Sequence, residues 1–387
     1  MHRARRLAFS FSLAVLLACL TFPLPGRAAD KPKPVVIPLE PFGLPKGFFT
    51  GGRSFACLHV HIAGTRLFWL DSDHLFVAFT TGPPCTFKSG NETVSLRGII
   101  FDRKGAKLAS RDWPLEEHLT LFAGPGQTVV LWRGNRLQFL DESLKTVESG
   151  ELDEKPRGMY VTPLRRTIPL LTADGRTFEF YGAGPLKMLS SIALDQTTEA
   201  NAVDVDDWTP GDERVAGKHC KEKKAPFTCS KIIILTPDAN FISPDGAPWS
   251  YEETEKPVDL DPVGFLDATH LVVSRLEKGF FHTPQAFIVR PDGSKTLLPA
   301  PGGMFSLGRI AGVANGGSRF GLEYIASGMC DECITARRFI VDEVDSKKAL
   351  FDRYGTPYFS RFELSPDGKS VAVLDDGALI IYPLPEQ

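Results

Sequence analysis

The chain has 387 residues, of which 43% are hydrophobic and 24% charged, and it contains 35 glycines and 30 prolines. This composition is typical of a globular protein and excludes an intrinsically disordered or collagen-like chain. The 44 basic and 47 acidic residues give a formal net charge of -3, so no positive excess favours binding to nucleic acid.

The N-terminal residues have the pattern of a secretory signal peptide. Residues 2–6 are basic, residues 7–22 carry no charge, and small residues follow at Gly26 and Ala28. Cleavage after Ala28 places small residues where the peptidase requires them, whereas the alternative, cleavage after Ala29, does not. We therefore expect residues 1–28 to be removed and the mature protein to be secreted or periplasmic.

A second interpretation of the leader is a lipid anchor. The sequence from Leu16 to Cys19 resembles a bacterial lipobox, which would make Cys19 a lipidated N-terminus. The apolar run of residues 7–22 is shorter than the roughly 20 residues of a spanning helix. No later segment is apolar enough to cross a bilayer, so we expect no transmembrane segment after the signal peptide.

Six cysteines remain after the leader, and export would place them in an oxidising compartment, where an even number favours disulfides. Fifteen pairings are possible. Proximity along the chain favours three of them, which are Cys220 with Cys229, Cys330 with Cys333, and Cys57 with Cys85.

The mature chain alternates short apolar runs with turns rich in Gly, Pro, Asp and Asn, a pattern typical of β-strands. The clearest hairpin is Phe362 to Leu374, whose turn is Ser365-Pro-Asp-Gly-Lys369. Six earlier segments fit the same template, and the copy at Val203 fits least well. A third strand follows each hairpin. The second strands begin at Leu75, Val129, Ile168, Val215, Leu271, Phe320 and Val371.

Units of this kind, about fifty residues long, predict an all-β, seven-bladed β-propeller of four-stranded antiparallel blades. The last unit ends after its third strand, so a strand from the N-terminal region must complete the last blade. The candidates are residues 35–37 and, preferred, part of residues 54–62. The predicted organisation is a signal peptide (1–28), an N-terminal linker (29–53) and the propeller (54–387).

The segment Ser365 to Val373 resembles the repeat of TolB-like and WD-repeat-like bacterial propellers, and Leu266 to Val273 resembles a divergent copy. The chain as a whole is similar to secreted, uncharacterised propellers of soil bacteria. The Trp-Asp and Gly-His pairs of eukaryotic WD repeats are absent. The resemblance implies a ligand-binding face formed by the loops between second and third strands and between fourth and next first strands.

The long second-to-third-strand loops on that face supply the candidate ligand-contacting residues. Phe280, Phe281 and His282 form an aromatic group in one loop, and His219 lies in another, the loop from Gly217 to Lys231. Adjacent aromatics on a loop have two interpretations, which are an apolar anchor for a partner and packing over a neighbouring blade. The alternative for the cysteines is a redox or metal site built on Cys330 and Cys333 with a histidine, but stapling by disulfides is preferred.

No sequence motif of a hydrolase, kinase or metalloprotease occurs, so no catalytic, metal or cofactor residue is assigned. We therefore expect an exported propeller that binds a protein, peptide or glycan on the long-loop face and needs no cofactor. The alternative is an extracytoplasmic hydrolase or lyase with a carboxylate or histidine site at the channel mouth.

Overall fold

Short strands joined by tight turns make up most of the described chain. The computed structural model describes residues 33–46, 48, 65–81, 95–114, 119–159, 167–182, 185–194, 198–205, 213–219, 231–235, 250–252, 258–267, 269–277, 285–299, 305–314, 316–327, 334–344, 346, 349–356 and 360–386. Within these ranges no helix has the length and apolar character needed to span a membrane. Two single 3₁₀ turns occur, at Glu40–Phe42 and Pro125–Gln127.

The strands pair into seven four-stranded antiparallel sheets. Each sheet takes four consecutive strands from β2 onward, and the last takes β26, β27, β28 and then β1. In chain order the strands are β1 (Val35–Pro38), β2 (Arg66–Trp69), β3 (His74–Thr80), β4 (Ser95–Asp102), β5 (Lys107–Pro114), β6 (Leu119–Ala123), β7 (Val129–Arg133), β8 (Arg136–Leu140), β9 (Thr146–Glu151), β10 (Gly158–Met159), β11 (Ile168–Leu171), β12 (Thr177–Gly182), β13 (Lys187–Ala193), β14 (Thr198–Val205), β15 (Glu213–His219), β16 (Lys231–Leu235), β17 (Ser250–Glu252), β18 (Val258–Asp267), β19 (His270–Glu277), β20 (Gln285–Val289), β21 (Lys295–Leu297), β22 (Phe305–Ala314), β23 (Arg319–Ser327), β24 (Ile334–Glu343), β25 (Phe351–Gly355), β26 (Arg361–Leu364), β27 (Ser370–Asp375) and β28 (Ala378–Pro383).

Burial along the strands follows their place in each sheet. In β3, a second strand, the residues from Leu75 to Thr80 are all buried, because a sheet covered on both faces buries both sides of its central strands. In β5, a fourth strand, exposed and partly buried residues alternate, and only Trp113 is buried. The predicted first, second and third strands coincide with observed strands wherever the structure describes them. The all-β propeller fold is therefore confirmed.

Apolar side chains fill the spaces between neighbouring sheets. One cluster joins β2–β4 to β27 and β28, another joins the sheets of β2 and β6, and a third joins those of β6 and β10. Two more join the sheet of β18 to that of β22, and the sheet of β22 to that of β26. Since no sheet covers its own faces, each depends on its neighbours for burial.

The predicted number of blades requires a correction. We expected seven blades, but the structure describes six in which all four strands have described side chains. In the sheet of β14–β17 only the backbone is described, apart from the side chains of Tyr251 and Glu252. This sheet contains the Val203 hairpin, which fitted the repeat template least well. The backbone of β14–β17 pairs as a sheet, but six blades, not seven, have side chains described on all four strands.

The choice of closing strand was also wrong. The preferred segment, residues 54–62, lies outside the described residues, whereas β1 pairs antiparallel with β28, with Val35 opposite Ile381 and Ile37 opposite Leu379. Chain after β1 continues into the core, where Leu39, Leu44 and Phe48 are at most 4% exposed. Much of the expected linker, 29–53, is therefore part of the propeller. A four-residue strand between prolines has too short a pattern to stand out in sequence.

Tight turns at the ends of the first strands use side chains as well as backbone. In the predicted turn after β26, Gly368 has a φ of 67° and Ser365 N–H donates to the carbonyl oxygen of Ser370 at 2.9 Å. The turn between β2 and β3 instead pairs His74 Nδ1 with Asp71 Oδ2 at 2.7 Å. An equivalent pair, His270 with Asp267, occupies the turn between β18 and β19 at the same distance.

The Asp71–His74 pair predicts a pH-dependent contribution to stability. The hydrogen bond that His74 donates to Asp71 raises the pKa of His74 above 6.5. Burial acts to raise the pKa of Asp71, but bonds from His74 and two backbone N–H groups lower it overall below 3.8. The raised histidine stabilises the fold below pH 6.5, and this is lost as pH rises through its folded pKa. The carboxylate contributes above pH 3.8, and this is lost as pH falls through its own folded pKa.

We therefore expect His74→Gln to lower the free energy of unfolding by about 0.5–1 kcal/mol near pH 5.5 and by less at pH 8. Urea unfolding between pH 4.5 and 8 measures the difference, and Asp71→Asn should show the same profile. A difference that grows with pH would contradict the assignment.

Candidate functional site

The face at which the first strands begin and the second strands end is here called the mouth face. The loops that the sequence placed on this face, within 80–95, 217–231, 275–285 and 327–335, are mostly outside the described residues. Phe280, Phe281 and His282 lie in this undescribed part, as do Cys57, Cys85, Cys220, Cys229, Cys330 and Cys333. His219 ends β15, where its backbone pairs with Thr198 and Lys231. The roles of these residues and the disulfides stay predictions.

The first strand of each sheet is here called its inner strand. Three inner strands each carry an arginine that contacts the inner strand of the next sheet. Arg309 of β22 donates from Nη2 to the carbonyl oxygen of Phe362 in β26, at 2.8 Å. Arg361, the first residue of β26, donates to the carbonyl oxygen of Thr65, which precedes β2, at 3.4 Å.

Arg66, the first residue of β2, continues the series by donating from Nε to the carbonyl oxygen of Leu121 in β6, at 3.0 Å. Because Arg66 and Arg361 begin their strands, the series lies near the mouth face. The carbonyl oxygens of Phe362, Thr65 and Leu121 thus each accept a hydrogen bond from an arginine of the preceding sheet.

Two buried glutamates join the arginines between the sheets of β22 and β26. Glu323, whose side chain is 1% exposed, accepts from Arg309 Nε at 2.7 Å and also pairs with Arg337. Glu363 accepts from Arg309 Nη1 at 3.2 Å. Arg337 lies on the same face of β24 as Phe339 and Val341, because every second residue of a strand points to one side. Phe339 and Val341 pack toward β26, so Arg337 lies in the same space between the sheets.

The six side chains listed next are called the mouth cluster. They are Arg66, Arg309, Arg337, Arg361, Glu323 and Glu363. Within the described residues, the mouth cluster holds two more positive than negative charges.

Burial and neighbouring positive charges lower the pKa values of three of these arginines. Burial, followed by the charges of Arg337, Arg309 and Arg66, holds the pKa of Arg361 well below its usual value. Burial and the charge of Arg309 lower the pKa of Arg337 to about 10 and also lower that of Arg66. Like charges held together in this way attract an anion.

A hydrogen-bonded latch lies beside Arg361. Asp375, the last residue of β27, accepts from the hydroxyl of Ser360 at 2.7 Å and from the hydroxyl and N–H of Thr356 at 2.8 and 3.2 Å. Arg353 Nη2 lies 3.9 Å from the other carboxylate oxygen. Ser360 and Asp375 are buried. The carbonyl oxygen of Ser360 in turn accepts from Arg361 Nη1 at 2.9 Å.

The arrangement is suited to holding an oxyanion. Arginine presents its N–H groups in a planar fork that matches carboxylate or phosphate oxygens. Two carboxylates also meet at Arg309, but the oxygens facing it are hydrogen-bonded to it, a geometry that favours positioning of the guanidinium over proton transfer. Within the described residues, no three His, Cys, Asp or Glu side chains are grouped to hold a metal ion.

The sequence contained a signal for this site that the motif search missed. Arg66, Arg309 and Arg361 each stand directly before the apolar run of a predicted first strand. Aligning the repeats on that run places three arginines at equivalent positions in the first strands of three neighbouring sheets. Glu323 and Arg337 carry no comparable signal, because they lie on different strands and meet only through the pairing of β23 and β24.

Comparison with known proteins supports the fold alone. No family model matches the chain, and no curated protein matches its sequence. Among solved structures, Kuenenia stuttgartiensis hydrazine synthase is similar, with a TM-score of 0.50, 13% identity, and coverage of 88% of this chain and 99% of that one. An oligogalacturonate lyase in complex with manganese has a TM-score of 0.49, 12% identity, and coverage of 84% and 89%.

The β-propeller domain of Myceliophteria thermophila Cps50 (Swd1) is also similar, with a TM-score of 0.44, 10% identity, and coverage of 80% and 100%. The resemblance to secreted bacterial propellers stays a prediction.

Proposed function

We propose that the protein is an exported propeller that binds an acidic peptide segment of a partner protein at the mouth face, with the mouth cluster holding the partner's carboxylates. The observation that carries this proposal is the convergence of four arginines and two glutamates from the strands of two sheets and the start of a third. The basic and apolar pattern of residues 2–22 supports export.

The depth of the site favours a peptide over a glycan. The side chain of Arg337 is 8% exposed, whereas that of Arg309 is 41% exposed. A recessed guanidinium is reached most easily by a carboxylate at the end of a flexible Asp or Glu side chain. A uronate carries its carboxylate directly on the sugar ring, so the whole ring would have to enter.

Titration calorimetry with a hexaglutamate peptide tests the proposal. We expect Arg361→Gln to weaken binding about 10-fold or more, since hydrogen bonds to charged groups are worth about 1.5–3 kcal/mol. Arg338→Gln is the matched control. It removes the same charge at the outer side of β24, where Arg338 bonds Asp352 at 2.7 Å and lies 5.1 Å from the Tyr354 ring centroid. We expect this control to change affinity by less than about 2-fold.

Two outcomes would overturn the proposal. One is an equal loss of affinity in Arg338→Gln and Arg361→Gln, which would show only an unspecific response to net charge. The other is tighter binding of an oligoglucuronate than of hexaglutamate, which would favour a glycan ligand. Inorganic phosphate is the third probe. Phosphate binding with no response to hexaglutamate would show a site for a small anion and not for a peptide.

A further inference from the structure

The latch of Asp375, Thr356 and Ser360 lies outside the mouth cluster but is joined to it through one backbone carbonyl. We infer that Asp375 is a positioning residue, which sets the direction of the Arg361 guanidinium by fixing the chain that enters β26. The inference rests on the proposed function for its binding readout, and a spectroscopic readout tests it independently.

The first step of the argument concerns the backbone. Asp375 ends β27, while Thr356 and Ser360 flank the connection between β25 and β26. Asp375 Oδ1 accepts hydrogen bonds from two hydroxyl groups and one N–H. Ser360 Oγ also donates to the carbonyl oxygen of Thr356, at 2.9 Å. One carboxylate oxygen therefore holds both ends of this connection. Since Ser360 is fully buried, its bonds are made away from competing water.

The second step links the backbone to the guanidinium. The carbonyl of Ser360 accepts from Arg361 Nη1, and Arg361 Nε reaches the carbonyl of Thr65 in the next sheet. A shift of Ser360 would move the first of these acceptors and leave the second in place. The direction of the guanidinium relative to the channel thus depends on where the latch holds residue 360.

The third step excludes a purely electrostatic role. Arg353 Nη2 lies 3.9 Å from the other oxygen of Asp375, and the side chain of Arg353 is 31% exposed. The separation and exposure make this a weak pair. The three hydrogen bonds to Oδ1 therefore dominate the contacts of Asp375. The geometry of these bonds, more than the charge of Asp375, sets the direction of the Arg361 guanidinium.

Matched variants separate the latch from general stability. Thr356→Val removes one hydroxyl donor while preserving shape, and Thr356→Ser keeps the hydroxyl. We expect Thr356→Val and Asp375→Asn to weaken hexaglutamate binding about 3- to 10-fold, and Thr356→Ser to bind like the unmodified protein. In the Arg361→Gln background the two weakening changes should add less than about 2-fold, whereas in Arg66→Gln they should keep their full effect.

Fully additive losses in the Arg361→Gln background would overturn the inference, because a merely structural role weakens binding whether or not Arg361 is present. The ¹⁵Nε–H signal of Arg361, assigned by its absence in Arg361→Gln, gives the readout that needs no ligand. Thr356→Val should shift or broaden this signal and Thr356→Ser should not. An unchanged signal in Thr356→Val overturns the positioning role even if hexaglutamate does not bind, so failure of the latch and failure of the proposed function are distinguishable.

Discussion

Replacing Glu323 by glutamine is expected to lower the free energy of unfolding by about 3–5 kcal/mol. The carboxylate is 1% exposed and bonds both Arg309 and Arg337. A glutamine keeps the shape but removes the negative charge and turns one acceptor into a donor facing guanidinium N–H groups. The loss is large because Arg337, whose side chain is 8% exposed, loses the carboxylate that it pairs with between the sheets. Thermal and urea unfolding measure it.

The control for Glu323→Gln is Asp352→Asn, which breaks the exposed pair with Arg338. Asp352 is 40% exposed on the outer strand β25 of the same sheet, so we expect a loss of at most about 1 kcal/mol. The double variant Glu323→Gln/Arg337→Gln should regain part of the stability, because it also removes the buried charge of Arg337 that Glu323 balances. Equal losses at Glu323 and Asp352 would contradict a buried network.

A chain that begins at Ser54 is expected not to fold cooperatively, whereas one that begins at Lys33 should unfold like the mature protein. The shorter chain lacks β1 and three buried residues that follow it, Leu39, Leu44 and Phe48. Together with Ile37 of β1, which is 6% exposed, four apolar side chains are lost. At about 1.5–3 kcal/mol for each, the loss matches the 5–15 kcal/mol stability of a typical domain.

Circular dichroism during heating distinguishes the two chains, and adding a synthetic peptide of residues 33–53 to the shorter chain provides a control. Recovery of a cooperative transition with the peptide would show that the missing strand, and not the truncation itself, causes the defect. Cooperative unfolding of the shorter chain alone, at an unchanged temperature, would show that β1 does not close the last sheet.

Much of the propeller was readable from local pattern. The runs Phe362–Leu364 and Val371–Leu374 and the Ser365–Lys369 turn between them form β26, β27 and their hairpin as expected. Alternation of apolar residues and turn glycines acts over a few residues, so sequence reports it directly. The closing strand was missed because β1 is stabilised by pairing with β28, more than three hundred residues away. Its own four residues carry little signal.

The sequence by itself determined the all-β repeat and the turns within each hairpin, because these depend on side chains a few positions apart. Only the tertiary structure decided the mouth cluster and the latch. Glu323 and Arg337 meet through strand pairing, and Arg361 meets Thr65 across two sheets whose positions in sequence are 296 residues apart. Charge, burial and hydrogen bonding at such a site are set by distances in space, which spacing along the chain does not encode.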